Sequence, residues 1–329
     1  MIVVTGAPGH LGNNLVRALL EKGERVRCLV LPGESLVSLN GLKTDIVEGD
    51  VRDIDSLYRA FEGAEAVYHL ASVISLLPGY SEILEEVNVK GARNVAEACL
   101  KTGVRRLVYT SSIHVLVERS GRETMDESSP CDPQRVHMAY SKSKARGTLE
   151  IMEVISKGLD GVVILPTGII GPYDFKPSET GRMIIDYVSG KIPVRIGGGY
   201  DFVDVRDVAQ GHILAAEKGK RGDSYILSGE WISMDDVMKE ISAITKVPVP
   251  RFRLPTGLAS GVAWALTSYS AITGAKVLMN RDSISTLKSN SVVSCHKARR
   301  ELGYSARPIR ETIRDTVNWF QETGALPVR

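Results

Sequence analysis

From the first residue to about position 170, short apolar runs alternate with longer amphipathic ones. The short runs are IVVT (2–5), RVRCLV (25–30), DIVEG (45–49), AVYHL (66–70), RRLVYTS (105–111) and GVVILP (161–166). They predict strands, and the helical patterns between them predict covering helices, so the repeat reads as a parallel sheet packed between helices. NNLVRALLEKG predicts a helix capped by Gly23, because glycine accepts the left-handed conformation that closes a helix. DIDSLYRAFEG repeats the arrangement, with Asp53 or Asp55 near its start and Gly63 past its end. Longer helices are expected over residues 82–103 and 137–158. The fold class expected is α/β, a doubly wound parallel sheet.

After residue 170 the rhythm changes to Gly/Pro-rich connections, short strands and several helices, with no internal repeat or low-complexity tract. FVDVRDVAQGHILAAEKG (202–219) returns to the earlier style and predicts a strand end feeding a helix that packs back on the sheet. These shifts predict a first domain over 1–166 plus 202–226. A smaller, interleaved C-terminal domain follows over 167–201 plus 227–329, with substrate held in the cleft between them.

Composition narrows the class. The chain has 329 residues, 43% hydrophobic and 24% charged, which excludes disordered and fibrous proteins. A net charge of +2 without a Lys/Arg block argues against a nucleic-acid partner, so phosphate recognition should be local. Cys28, Cys99, Cys131 and Cys295 have neither metal-ligand nor disulfide-framework spacing, which fits a reducing cytoplasm and no metal. The start MIVVTGAPG runs straight into a strand, leaving no room for a signal peptide. Residues 254–275 carry no charge but are broken throughout by Ser, Thr and Gly. They predict a substrate-facing or membrane-touching helix, not firm insertion.

The first strand runs into TGAPGHLG, which sets Gly6, Gly9 and Gly12 in register, with Pro8, His10 and Leu11 in the same turn. Glycines between a strand and a helix let the backbone approach a pyrophosphate, which the helix N-terminus then binds; the context is that of a Rossmann dinucleotide site. NAD-selective sites place an acidic residue near the end of the second strand. Here that strand ends at Val30-Leu31, and Arg27 is the nearest base, so NADP is favoured over NAD; Glu34 in the following loop keeps NAD open.

AYSKSKARG (139–147) puts Tyr140 and Lys144 on one helix face, a turn apart. A phenol, ordinarily of pKa about 10, exchanges protons poorly at neutral pH, and a neighbouring ammonium lowers that value. The pair therefore reads as an acid–base set.

TGAPGHLG, EGDVRD (48–53), VYHLAS (67–72), YTSSIHV (109–115), Tyr140-x-x-x-Lys144 and PTGIIGP (166–172), in this order, resemble an extended short-chain dehydrogenase/reductase. LSGEWISMDDV (227–237) and the pattern over 297–320 are similar to the group containing dihydroflavonol 4-reductases and 3β-hydroxysteroid dehydrogenases. The resemblance implies that Ser112 hydrogen-bonds the substrate oxygen, Tyr140 moves the proton, and Lys144 holds the nicotinamide ribose and lowers the tyrosine pKa. It places Asp50 and Val51 beside the adenine, and Leu70, Ala71 and Ser72 along the middle of the cofactor. Asn88, Thr110, Ser111, Pro166, Gly168 and Ile169 fall near the nicotinamide, and Val73 and His114 join Ser112 and Tyr140 around the substrate.

Departures from the pattern bear on the reaction. The sugar-nucleotide dehydratases of this superfamily follow the serine with an acidic pair, but here Ser112 precedes Ile113 and His114. Many of its sugar-nucleotide epimerases carry an asparagine where this chain has Gly168. The apolar SVISLLPGY (72–80) and 254–275 suggest a pocket for an apolar ketone. Arg206 is open to an anion contact or to pairing with Asp204 or Asp207. The expected activity is an NAD(P)-dependent ketone or aldehyde reductase, equivalently an alcohol dehydrogenase acting on a fairly apolar small molecule. A nucleotide-sugar 4-epimerase with retained NAD and a non-catalytic dinucleotide-sensing protein are the alternatives. The resemblance also implies a homodimer paired through helices 82–103 and 137–158.

Overall fold

The computed structural model describes residues 1–74, 81–118, 123–255, 261 and 292–327. Its central sheet is built from β1 (Ile2–Thr5), β2 (Val26–Val30), β3 (Asp45–Glu48), β4 (Ala66–His69), β5 (Arg106–Thr110), β6 (Gly161–Pro166) and β10 (Ser224–Leu227). These seven strands, all parallel, run in the order β10-β6-β5-β4-β1-β2-β3.

Alternate residues of each strand serve opposite faces, and both faces are buried, which explains why the strands read as continuous apolar runs. One face sends Val3, Leu29, Val67, Leu107 and Val163 into a cluster with α2 (Ile54–Phe61), α4 (Ala92–Thr102) and α5 (Ala139–Ser156). The other sends Val4, Cys28, Tyr68, Val108 and Ile164 against α1 (His10–Glu21) and α7 (Val205–Lys218). The helix signals act as read: Asp53 accepts from the Asp55 N–H to cap α2, and Gly23 and Gly63 adopt positive φ after their helices.

The remaining elements gather on the substrate side. β7 (Gly168–Ile170), β9 (Gly199–Asp204) and β11 (Glu230–Ser233) form a three-stranded sheet in the order β11-β9-β7, and β8 (Val194–Ile196) pairs with β12 (Phe252–Leu254). α6 (Glu179–Val188), α8 (Met234–Thr245) and α10 (Ile309–Glu322) bury Ile184, Val237, Ile241, Ile313, Val317 and Phe320 in a third cluster. α9 (His296–Leu302) departs from the expected division, because Ala298 and Leu302 pack into the α1/α7 cluster of the central sheet.

Ion pairs lock the two sides together. Arg206 bonds the fully buried Asp204 carboxylate and Asp315 on α10, each at 2.7 Å, while Asp207 is taken by Arg307 at 2.8 Å. Arg206 is thus a structural pairing residue. A second clasp joins α1 to the loop after β7: Asn13 donates to the Tyr173 carbonyl at 3.0 Å and the Arg17 guanidinium lies 4.3 Å over the Tyr173 ring.

The helix expected over 82–103 is one continuous run with a widened turn. α3 (Glu82–Leu84) passes through a π-helical segment, Glu85–Gly91, into α4. Such one-turn widenings occur where a helix residue must be re-aimed, and here the segment carries Asn88. α5 can approach it because position 147 is glycine: a Cβ there would lie 2.0 Å from the Asn88 carbonyl oxygen.

Candidate active site

Open parallel sheets bind ligands beyond their carboxyl ends, where the strand order reverses. That reversal falls between β1 and β4. β1 turns at Gly6 with φ +69°, the left-handed region that favours glycine. A Cβ on Gly6 would lie 2.7 Å from the Ala71 nitrogen, and one on Gly12 would lie 2.1 Å from the Gly6 carbonyl oxygen. No side chain caps the first turn of α1, so its N–H groups and the positive end of the helix are left to a ligand at Gly9–Gly12. This cradle fits a pyrophosphate.

A cavity of about 1740 Å³ runs from the cradle to the substrate-side cluster. Every residue expected at the site lines it except Arg27 and Asn88. Arg27 needs correction: its guanidinium donates to the Ala60 and Glu62 carbonyls at 2.8 and 3.1 Å, at the end of α2, so it does not read a cofactor phosphate. The acidic side chain at the end of β2 is Glu34, which accepts from the Leu31 N–H at 3.2 Å and lines the cavity. Arg52, nearby, is held by the Asp50 carboxylate.

Asn88 is likewise corrected from cofactor contact to positioning. Buried beneath the site, its carboxamide accepts from the Ser72 hydroxyl and the Val73 N–H and donates to the Val73 carbonyl and the Ser143 hydroxyl, all within 3.1 Å. The loop after β4 and the start of α5 are thereby tied into one unit.

On that unit the Tyr140 side chain lines the cavity with Ser72 and Ser112, whose hydroxyls act to lower its pKa. Ser112, at the end of β5, starts a short turn and accepts from the His114 N–H at 3.3 Å. One turn along α5 from Tyr140, Lys144 is 2% exposed; it donates to the Thr110 carbonyl at 2.7 Å and lies 4.5 Å over the Tyr109 ring. The Thr110 hydroxyl is fixed in turn by buried His212 at 2.7 Å.

The expected lowering of the phenol pKa by Lys144 does not appear. Burial pushes Tyr140 up to about 12, against the pull of the neighbouring Ser72 and Ser112 hydroxyls. Burial also draws Lys144 down to about 7, and its ammonium is turned to the Thr110 carbonyl, leaving little positive charge to act on the phenol.

Sequence reasoning missed the far wall. Tyr200 and Phe202 of β9, Met183 of α6, and Met234 and Met238 of α8 line an apolar lobe. The alternation in GYDFVD, which puts Tyr200 and Phe202 on one strand face, is the signal that could have found the aromatic pair. His114 meets Tyr200 there, with Nε2 2.9 Å from the phenol oxygen. Residues 75–80 and nearly all of 254–275 lie outside the described residues. Among the described residues there is no metal-binding cluster and no helix long and apolar enough to cross a membrane.

A dinucleotide cradle at the strand-order reversal, sharing one cavity with a Ser–Tyr–Lys set, defines an enzyme of the short-chain dehydrogenase/reductase class. The chain belongs to the NAD dependent epimerase/dehydratase family, whose model matches residues 2–228, and it is an oxidoreductase of the extended group. It is 35% identical over 326 residues to sterol demethylase protein B of Methylococcus capsulatus, covering 98% of this chain and 99% of the relative. It is also 35% identical to a putative dihydroflavonol 4-reductase of Synechocystis, covering 98% and 94%. The crystal structure of gox2253 superposes with a TM-score of 0.87 at 34% identity, covering 99% of each chain. The UDP-glucose 4-epimerase of Thermus thermophilus in complex with NAD shares the fold, with a TM-score of 0.77 at 23% identity over 97% and 98% of the two chains. These relatives place the chain with the dihydroflavonol reductase and 3β-hydroxysteroid dehydrogenase-like group.

Proposed function

We propose that this enzyme reduces a ketone or aldehyde on a fairly apolar small molecule, or oxidises the corresponding alcohol. The observation that carries the reading is that Ser112, Tyr140 and Lys144 line the same cavity as the glycine cradle. When bound, the dinucleotide supplies or accepts the hydride. Ser112 holds the substrate oxygen, and the Tyr140 O–H gives that oxygen its proton during reduction. Lys144, anchored on the Thr110 carbonyl one helical turn from Tyr140, holds the ribose.

The apolar lobe and the two 35% identical relatives, one named for sterols and one for a flavonoid alcohol, support a ring-bearing apolar substrate. Against a nucleotide-sugar epimerase stands position 168, where a Cβ would lie 2.8 Å from the Tyr200 ring and 2.9 Å from the Phe202 ring. Aromatic side chains fill the space that an asparagine there would need. For the coenzyme, the engagement of Arg27 and the presence of Glu34 support NAD over NADP, since a carboxylate accepts from a ribose hydroxyl and repels a phosphate. We further propose a homodimer through helices 82–103 and 137–158, where Leu100 and Leu149 are exposed.

The test is a panel of cyclic ketones, aldehydes and UDP-sugars assayed with NADH and NADPH. Turnover of a cyclic ketone with NADH, abolished in Tyr140→Phe, is expected, and Glu34→Gln should shift the coenzyme ratio toward NADPH. Turnover that survives in Tyr140→Phe, or conversion confined to UDP-sugars, would overturn the reading.

A further inference from the structure

We propose that Tyr200, held by His114, is the specificity residue of this site: a neutral anchor for a second uncharged oxygen, hydroxyl or carbonyl, near the reacting carbon of the substrate. The inference rests on the reductase reading above and adds to it what the substrate must carry.

Three observations support it. The first is placement. The short turn that presents the Ser112 hydroxyl also presents His114, whose N–H donates to that hydroxyl at 3.3 Å. His114 then bonds Tyr200 at 2.9 Å and lies nearly parallel to its ring, with centroids 5.8 Å apart and 14° between planes. The anchor is thereby fixed relative to the oxygen-holding serine by one turn of backbone.

The second is contrast. Tyr200 packs against the apolar substrate-side cluster and makes an edge contact with Phe202, so its hydroxyl is a polar point in an apolar wall. Pockets of this kind fix orientation with a small number of placed polar groups. Gly168 preserves the arrangement, because any side chain there would displace both rings.

The third is proton inventory. Burial draws His114 down to about 4 and holds Tyr200 protonated, so at neutral pH the imidazole keeps one N–H and the phenol its O–H. Their mutual bond uses one of these protons. The other remains, on the phenol or on Nδ1 according to tautomer, so the pair can offer one donor while keeping an acceptor lone pair. Such a pair suits a hydroxyl or carbonyl oxygen and gives a carboxylate or phosphate no countercharge.

The probes are a bicyclic ketone, 1-decalone, and the same ketone bearing one hydroxyl on a ring carbon near the carbonyl. Binding is read by saturation-transfer NMR on the enzyme loaded with NADH, and turnover by NADH oxidation. The wild type is expected to prefer the hydroxylated ketone, and Tyr200→Phe, which keeps the ring, to cut that preference about three- to tenfold, the range of one neutral hydrogen bond. His114→Phe should cut it similarly, and the double variant no further, because the two act as a unit. Tyr140→Phe should stop turnover of both compounds while the binding preference survives. If nothing turns over but Tyr200→Phe still erodes the binding preference, the reductase reading fails and the anchor stands. An unchanged preference in Tyr200→Phe, a wild type that favours the plain ketone, or binding of neither compound overturns the proposal.

Discussion

Gly147→Ala is a sharp test of how the site is held. Position 147 lies on buried helix α5, where alanine would ordinarily gain about 1 kcal/mol over glycine by helix propensity. Here the added Cβ would sit 2.0 Å from the Asn88 carbonyl oxygen, whereas ordinary contact begins near 3.4 Å. The two helices would have to part by about 1.4 Å at that point, the difference between those distances. The obstacle is backbone, which no rotamer change relieves, so the upper end of the overpacking range, about 3 kcal/mol, applies. Net of propensity, a loss of about 2 kcal/mol is expected in urea unfolding. Function should suffer more, because Asn88 holds the Ser72–Val73 loop and α5 carries Tyr140 and Lys144. Misplacement by about 1 Å costs up to about 100-fold in rate, so kcat with any detected ketone should fall by that order. A Gly147→Ala protein at least as stable as wild type, with unchanged kcat, would refute the close approach of α5 to the π-helical segment.

Lys144→Met should lose activity and also flatten a pH effect on stability. The folded pKa of about 7 lies below the ordinary 10.5, so the unfolded chain binds more protons between those values and wild-type stability rises with pH there. Relative to Lys144→Met, wild type should gain about 2–3 kcal/mol in chemical denaturation from pH 7.5 to 9.5; parallel curves would contradict the burial of the ammonium. Alcohol oxidation needs Tyr140 as proton acceptor, so its kcat/KM should climb with pH above 8 while ketone reduction stays level, as paired pH profiles would show. Leu149→Glu, on an exposed position of α5, should convert a dimer to monomers in sedimentation velocity; an unchanged sedimentation coefficient would remove this face from the interface.

What was legible in the sequence was what local pattern dictates. A strand buried on both faces must be apolar throughout, so β1 to β6 were found within a residue or two, and the glycine turn named its own place at the end of β1. β10 was not read as a strand, because it is a four-residue run at the edge of the sheet, paired only with β6, and its Ile226 N–H donates to the Glu127 carboxylate 99 residues away. The π-helical segment was equally hidden: EEVNVKG has ordinary helical composition, and the close approach of Gly147 to Asn88 exists only in the folded chain. Tyr140, Lys144 and Ser112 were legible as a candidate set because their spacing is chemical, whereas Tyr200 acquires meaning only when β9 folds across the cavity. Arg27 was misread for a related reason. A one-dimensional reading places it near the end of β2, but strand alternation sends its side chain toward α2 and not into the cleft.

One physical cause, removal of water, sets the proton states around Tyr140. It raises the Tyr140 phenol, lowers the Lys144 ammonium, and keeps His69 and His114 neutral, with values of about 12, 7, 3 and 4. Each shift is toward the uncharged form, as desolvation requires. Neutral side chains around Ser112 and Tyr140 support the proposed neutral carbonyl at that point of the cavity. The same enclosure keeps the Tyr140 phenol protonated at neutral pH, the state from which the proposed reduction would start.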